Sequence, residues 1–61
     1  MSEIKKVLME RDGMSEDEAI RLIEDAKEQL QAYLADDDQD AAEDICAEYF
    51  GLEPDYIMEL L

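Results

Sequence analysis

Residues 15–35 read SEDEAIRLIEDAKEQLQAYLA, and this stretch decides the fold. Its opening, Ser15-Glu16-Asp17-Glu18, is a capping box, in which the Ser15 hydroxyl and the Glu18 carboxylate each satisfy a free backbone N–H of the other residue. Three acids in that first turn complement the positive end of the helix dipole. The pattern predicts a helix from Glu16 to about Ala35, ~30 Å long. Its apolar positions Ala19, Ile23, Ala26, Leu30 and Tyr33 recur at spacings of four and three, a heptad-like seam. Ile20, Leu22 and Leu34 widen the stripe beyond what one short neighbouring helix covers. Two flanking helices or a partner chain must bury it, and we read the seam as a dimer element with a homodimer as the expected assembly.

The flanks are helical as well. Upstream, Ile4, Val7, Leu8 and Arg11 share one face of a first helix, capped by Ser2 and stopped at Gly13, where glycine takes the left-handed conformation at little cost. Downstream, Asp36-Asp37-Asp38-Gln39-Asp40 ends the second helix, because acids oppose the dipole at a helix C-terminus. The same aspartates suit the start of a third helix, with Asp40 as cap and Glu43 three residues on. Ala42, Ile45, Cys46, Tyr49 and Phe50 form its apolar stripe, and Gly51 closes it. A fourth helix starts at Leu52-Glu53-Pro54-Asp55, with Pro54 at the first helical position and Leu52 stapled onto Ile57. Ile57, Leu60 and Leu61 should face inward. No strand-like alternation occurs. The expected fold is all-α, a single domain over 1–61, with three to four helices around a long central second helix.

Composition narrows the function. The 61 residues carry 19 acids and 5 cations, a formal net charge of −14. A chain this short buries only ~60% of the surface it exposes when unfolded. Small scaffolds therefore lean on disulfides, a metal or a partner subunit. One cysteine and no histidine exclude a disulfide within the chain and argue against a metal, which leaves association. The 48% apolar content argues against disorder. No apolar stretch reaches the ~18 residues of a membrane span, and MSEIKKVLMERDG lacks the apolar core of a signal peptide. The lone Cys46 suits a reducing compartment, so a soluble, cytoplasmic protein is expected. So negative a surface repels anionic lipid and nucleic acid phosphates, so neither a membrane nor nucleic acid is an expected direct partner.

Without histidine there is no Cys–His or Ser–His pair and no histidine base. Paired carboxylates such as Glu24/Asp25 and Glu43/Asp44 come with no sign of a pocket, so no catalytic residue, cofactor or metal is assigned. Asp36, Asp38 and Asp40 have the 1, 3, 5 spacing of a calcium loop, but Ala41 replaces its turn glycine and Ala47 its bidentate glutamate. A solvated acidic loop is the expected reading. Cys46 lies on the apolar stripe among acids, where a thiol behaves as a small hydrophobe.

The charge is sharply partitioned. Residues 1–30 hold 9 acids and all 5 cations, a balance of −4; residues 31–61 hold 10 acids and no cation, a balance of −10. Such asymmetry marks an interaction surface. Asp36, Asp37, Asp38, Asp40, Glu43, Asp44 and Glu48 make the densest patch, followed by Glu53, Asp55 and Glu59. Two functions fit. One is an acidic module that occupies a basic surface of another protein as a mimic of nucleic acid, which carries one charge per ~1.7 Å of axis. The other is a small homodimeric adaptor that binds through its apolar seam. Salt separates them, since charge-driven binding weakens as ionic strength rises.

Two resemblances bear on this. Ala47, Gly51, Leu52, Ile57 and Leu60 resemble the helix-turn-helix pattern, in which a small residue lets two helices cross and glycine turns the chain between them. The outward positions of the last helix, Asp55, Tyr56, Met58 and Glu59, carry no cation for phosphate, so an αα corner or a derivative without DNA binding is expected. Arg11-Asp12-Gly13-Met14-Ser15 with Glu18-Ala19, together with Gly51-Leu52-Glu53-Pro54-Asp55-Tyr56, is similar to short acidic helical proteins encoded by phages and prophages of Gram-positive bacteria. That resemblance implies an inhibitor of a host defence system of the CRISPR, restriction or Hachiman type, acting on a nucleic-acid-binding protein. It implies no catalytic residue.

Overall fold

A computed structural model describes residues 3–61 and divides them into four α-helices and a closing 3₁₀ helix: α1 (Glu3–Arg11), α2 (Glu16–Ala35), α3 (Gln39–Glu43), α4 (Ile45–Phe50) and the 3₁₀ helix Pro54–Glu59. There is no strand among the described residues. The start of α2 follows from its cap: the Glu18 N–H donates to the Ser15 hydroxyl at 3.2 Å, and that hydroxyl donates to the Glu18 carboxylate at 3.3 Å. At 20 residues, α2 runs ~30 Å, nearly the full 33 Å of a body 19 by 18 Å across. The cap expected at Ser2 lies outside the described residues.

The apolar spacing of each helix decides what packs where. α1, α3 and α4 all lie against α2, and the 3₁₀ helix lies against α4 and α1. Ile4 and Leu8 of α1 meet Ala19, Ile23, Ala26 and Leu30 of α2, Ala42 of α3, Ile45, Cys46 and Phe50 of α4, and Leu60 in one buried cluster. This corrects the reading of the seam. Ala19, Ile23, Ala26 and Leu30 are buried by the chain itself, so they are core and not a surface for a second copy. Three short helices folded back on one long one supply the cover that a dimer partner was expected to give. Tyr33, the last seam residue, is half-buried.

The C-terminal half departs from the expected layout in four places. α3 is capped by Asp38, not Asp40: the Ala41 N–H donates to Asp38 Oδ1 at 3.2 Å. The chain turns so tightly after α2 that the next helix begins early, leaving Asp40 inside its first turn. The expected third helix is two, separated at Asp44, whose ψ of −3° departs from regular helix. The expected fourth helix is 3₁₀, held by i to i+3 bonds from the Tyr56 N–H to the Glu53 carbonyl and from the Leu60 N–H to the Ile57 carbonyl. Pro54 does stand at its start. Leu61, expected to face inward, is 70% exposed.

The turn between α2 and α3 depends on one residue. Asp37 has φ of +59°, the left-handed region usually reserved for glycine. Around it the Asp38 N–H reaches the Tyr33 carbonyl at 2.8 Å and the Asp37 N–H reaches the Leu34 carbonyl at 3.1 Å, the two bonds of a Schellman cap. Aspartate tolerates this conformation better than most residues but not as well as glycine, and its charge faces the negative end of the α2 dipole. Asp37→Gly is therefore expected to stabilise the chain by about 1 kcal/mol, with Asp37→Asn giving roughly half of that by removing the charge alone. Urea unfolding of the two variants checks this, and destabilisation by the glycine would refute the strained-cap account.

Candidate acidic interface

Acids placed on short helices and turns have little chance of burial, and the structure bears this out residue by residue. Asp36 and Asp37 occupy the α2–α3 turn, Asp38 caps α3, Asp40 and Glu43 lie on α3, Asp44 separates it from α4, and Glu48 projects from α4. Glu53 and Asp55 flank Pro54 at the start of the 3₁₀ helix. All nine are exposed.

Glu59, the tenth, belongs elsewhere. Its Oε1 accepts the Glu3 N–H at 2.7 Å and the Ile4 N–H at 3.4 Å, so it caps the N-terminus of α1 and is half-buried. The outward position assigned to it by spacing is thus corrected by a contact with the far end of the chain.

Three elements converge on Tyr33. Burial first, then the charge of Glu48 and the proximity of Tyr49 and Asp38, push its hydroxyl above the ordinary tyrosine value. Cys46 is fully buried, and burial together with Glu59 pushes its thiol up, away from the reactive thiolate.

The ion pairs found among the described residues fall in the first half. Lys5 pairs with Glu16 at 3.4 Å. Arg11 grips Asp12 with both arms of its fork, at 3.0 and 2.9 Å, and this hydrogen bonding holds the Asp12 carboxyl below the usual carboxylate range. Arg11 Nη2 also donates to the Phe50 carbonyl. That contact puts a cation at the C-terminus of α4, whose own last turn holds none. No three His, Cys, Asp or Glu side chains among the described residues are grouped to hold a metal ion. No helix among them is long and apolar enough to cross a membrane.

No family model, curated protein or solved structure matches this chain. What the surface can do is accordingly read from its own residues.

Sequence reasoning missed one part of that surface. Two open grooves run beside α2, one lined by Met14, Glu18, Arg21, Leu22 and Asp25, the other by Asp25, Glu28, Gln29, Ala32 and Tyr49. The acids here lie in the half of the chain that also holds the cations, so the charge balance hid them. The signal that finds them is spacing: Glu18, Leu22, Asp25, Gln29 and Ala32 repeat by four and three, one step round the helix from the core seam.

Proposed function

We propose that this chain is an acidic protein-interaction module that occupies a basic, nucleic-acid-binding surface of a protein partner. The observation that carries the reading is the density of uncompensated charge. A net charge of −14 on a body 33 Å long amounts to one net negative charge per 2.4 Å of its axis. DNA carries one per ~1.7 Å. Nine of the acids are exposed between residues 36 and 55, on helices whose core is closed, and no lysine or arginine follows Lys27. Carboxylates held this way meet the Lys and Arg that otherwise grip phosphates, with little further ordering on binding.

The resemblance to acidic phage proteins supplies a setting, inhibition of a host defence protein. The adaptor reading loses its contact surface, since the seam it needed is the core of the chain. In the proposed role one chain suffices.

The test is capture from bacterial lysate on the immobilised chain, with washes at low and high salt and with competing duplex DNA. A nucleic-acid-binding protein released by both salt and DNA is the expected result. A partner that resists salt and ignores DNA overturns the mimicry. In cells, the chain should restore phage growth against a DNA-binding defence system, and failure against each such system tried counts against the inhibitor role.

A further inference from the structure

We infer that the outer face of α2 is a docking groove for a basic, helical segment of the partner protein. The inference deepens the acidic-module reading and rests on it. The two grooves beside α2 both border Asp25, and together they follow one face of the helix. The track along that face follows Glu18, Leu22, Asp25, Gln29 and Ala32, at spacings of four, three, four and three. That repeat is the geometry by which one helix seats another at a shallow angle. From Glu18 to Ala32 the track covers ~21 Å, about four turns of a partner helix.

Apolar anchors stand at both ends of the track. Met14 and Leu22 line one end, and the half-buried Tyr49 walls the other beside the small Ala32. Helices that dock in grooves use such spaced anchors. Charge selects the occupant. Glu18, Asp25 and Glu28 line the track against the single cation Arg21, and Glu48 stands exposed next to Tyr49. Lysine or arginine on the incoming helix meets these carboxylates, and an arginine reaches the Tyr49 ring face. A second copy of this chain would bring a further −14 onto an acidic face, which opposes self-docking there.

The probe is a fluorescein-labelled amphipathic peptide of about 16 residues, with leucines at heptad spacing and lysine and arginine between them, beside a proline-interrupted version of equal charge. It is titrated against the wild-type chain and against Asp25→Lys and Glu10→Lys, Glu10 being an exposed acid of α1 outside both the groove and the acidic patch. These variants change exposed acids and shift net charge equally, and circular dichroism confirms that both remain folded. The expected result is low-salt binding of the helical peptide, weakened about tenfold or more by Asp25→Lys and less than about threefold by Glu10→Lys. Amide shifts in NMR should centre on Leu22, Gln29, Ala32 and Tyr49. Equal weakening by the two variants, or equal binding of the interrupted peptide, overturns the groove while leaving the acidic-module reading standing. A dimer of the chain that occludes α2 in sedimentation likewise overturns the groove. Absence of low-salt binding by either peptide overturns both.

Discussion

Leu30→Ala is expected to lower the melting temperature by roughly 20 °C, and by the same amount at every protein concentration. Leu30 is fully buried at the centre of the cluster formed by α1, α2, α3 and α4. Removing three carbons there forfeits their transfer free energy and leaves a cavity, together about 3 kcal/mol. A chain of this size has only about 3–9 kcal/mol in total, so the variant sits near the edge of folding. Concentration is the informative axis. A seam between two copies would make melting rise with protein concentration, by mass action. Thermal melts over a hundredfold dilution series settle the point, and a concentration-dependent midpoint would show that the seam is shared between copies.

Glu59→Ala should cost about 1.5 kcal/mol, near the low end for a charged hydrogen-bonding group because the Glu3 N–H can turn to water. That corresponds to a fall of ~10 °C in melting temperature. The carboxylate does two things at once: it accepts two backbone N–H groups at the start of α1 and sets a negative charge at the positive end of that helix. Asp55→Ala, a loss of equal charge at an exposed position of the same 3₁₀ helix, should stay within about 0.5 kcal/mol. Hydrogen exchange adds a local readout, with faster exchange at Glu3 and Ile4 and little change along α2. Equal effects of the two substitutions would mean that charge, not the cap, was measured.

What could be read from the sequence was local, and what could not was long-range. Ser15 and Glu18 fix the start of α2 within one turn, and Gly13 and Gly51 do take left-handed conformations, with φ of 67° and 66°. Those signals need no knowledge of the rest of the chain. The seam was correctly placed on one face of α2, yet a heptad spacing cannot say whose side chains will cover it. Glu59 read as an outward position because its partner lies 56 residues away. Arg11 read as one member of a helix face, whereas its contact is a carbonyl 39 residues on. At the α2–α3 turn, four nearly consecutive acids made Asp38 and Asp40 equally good caps, and the left-handed backbone of Asp37 decided between them. Acidic positions were legible simply because carboxylates are rarely buried. The groove was not, since it arises only when Met14 and Tyr49 are brought to the two ends of α2.

The ties from Glu59 to α1 and from Arg11 to the end of α4 also bear on the order in which the chain assembles. α1, α3 and α4 each pack on α2, whereas these two ties close loops of 56 and 39 residues. Loop closure costs entropy that rises with length, so they form after α2 has gathered its short neighbours. Interactions absent from the transition state slow unfolding without hastening folding. In stopped-flow kinetics, Glu59→Ala should therefore shorten the lifetime of the folded chain about tenfold while leaving its refolding rate almost unchanged. The capping carboxylate acts as a latch: it governs how long the fold lasts rather than how fast it is reached.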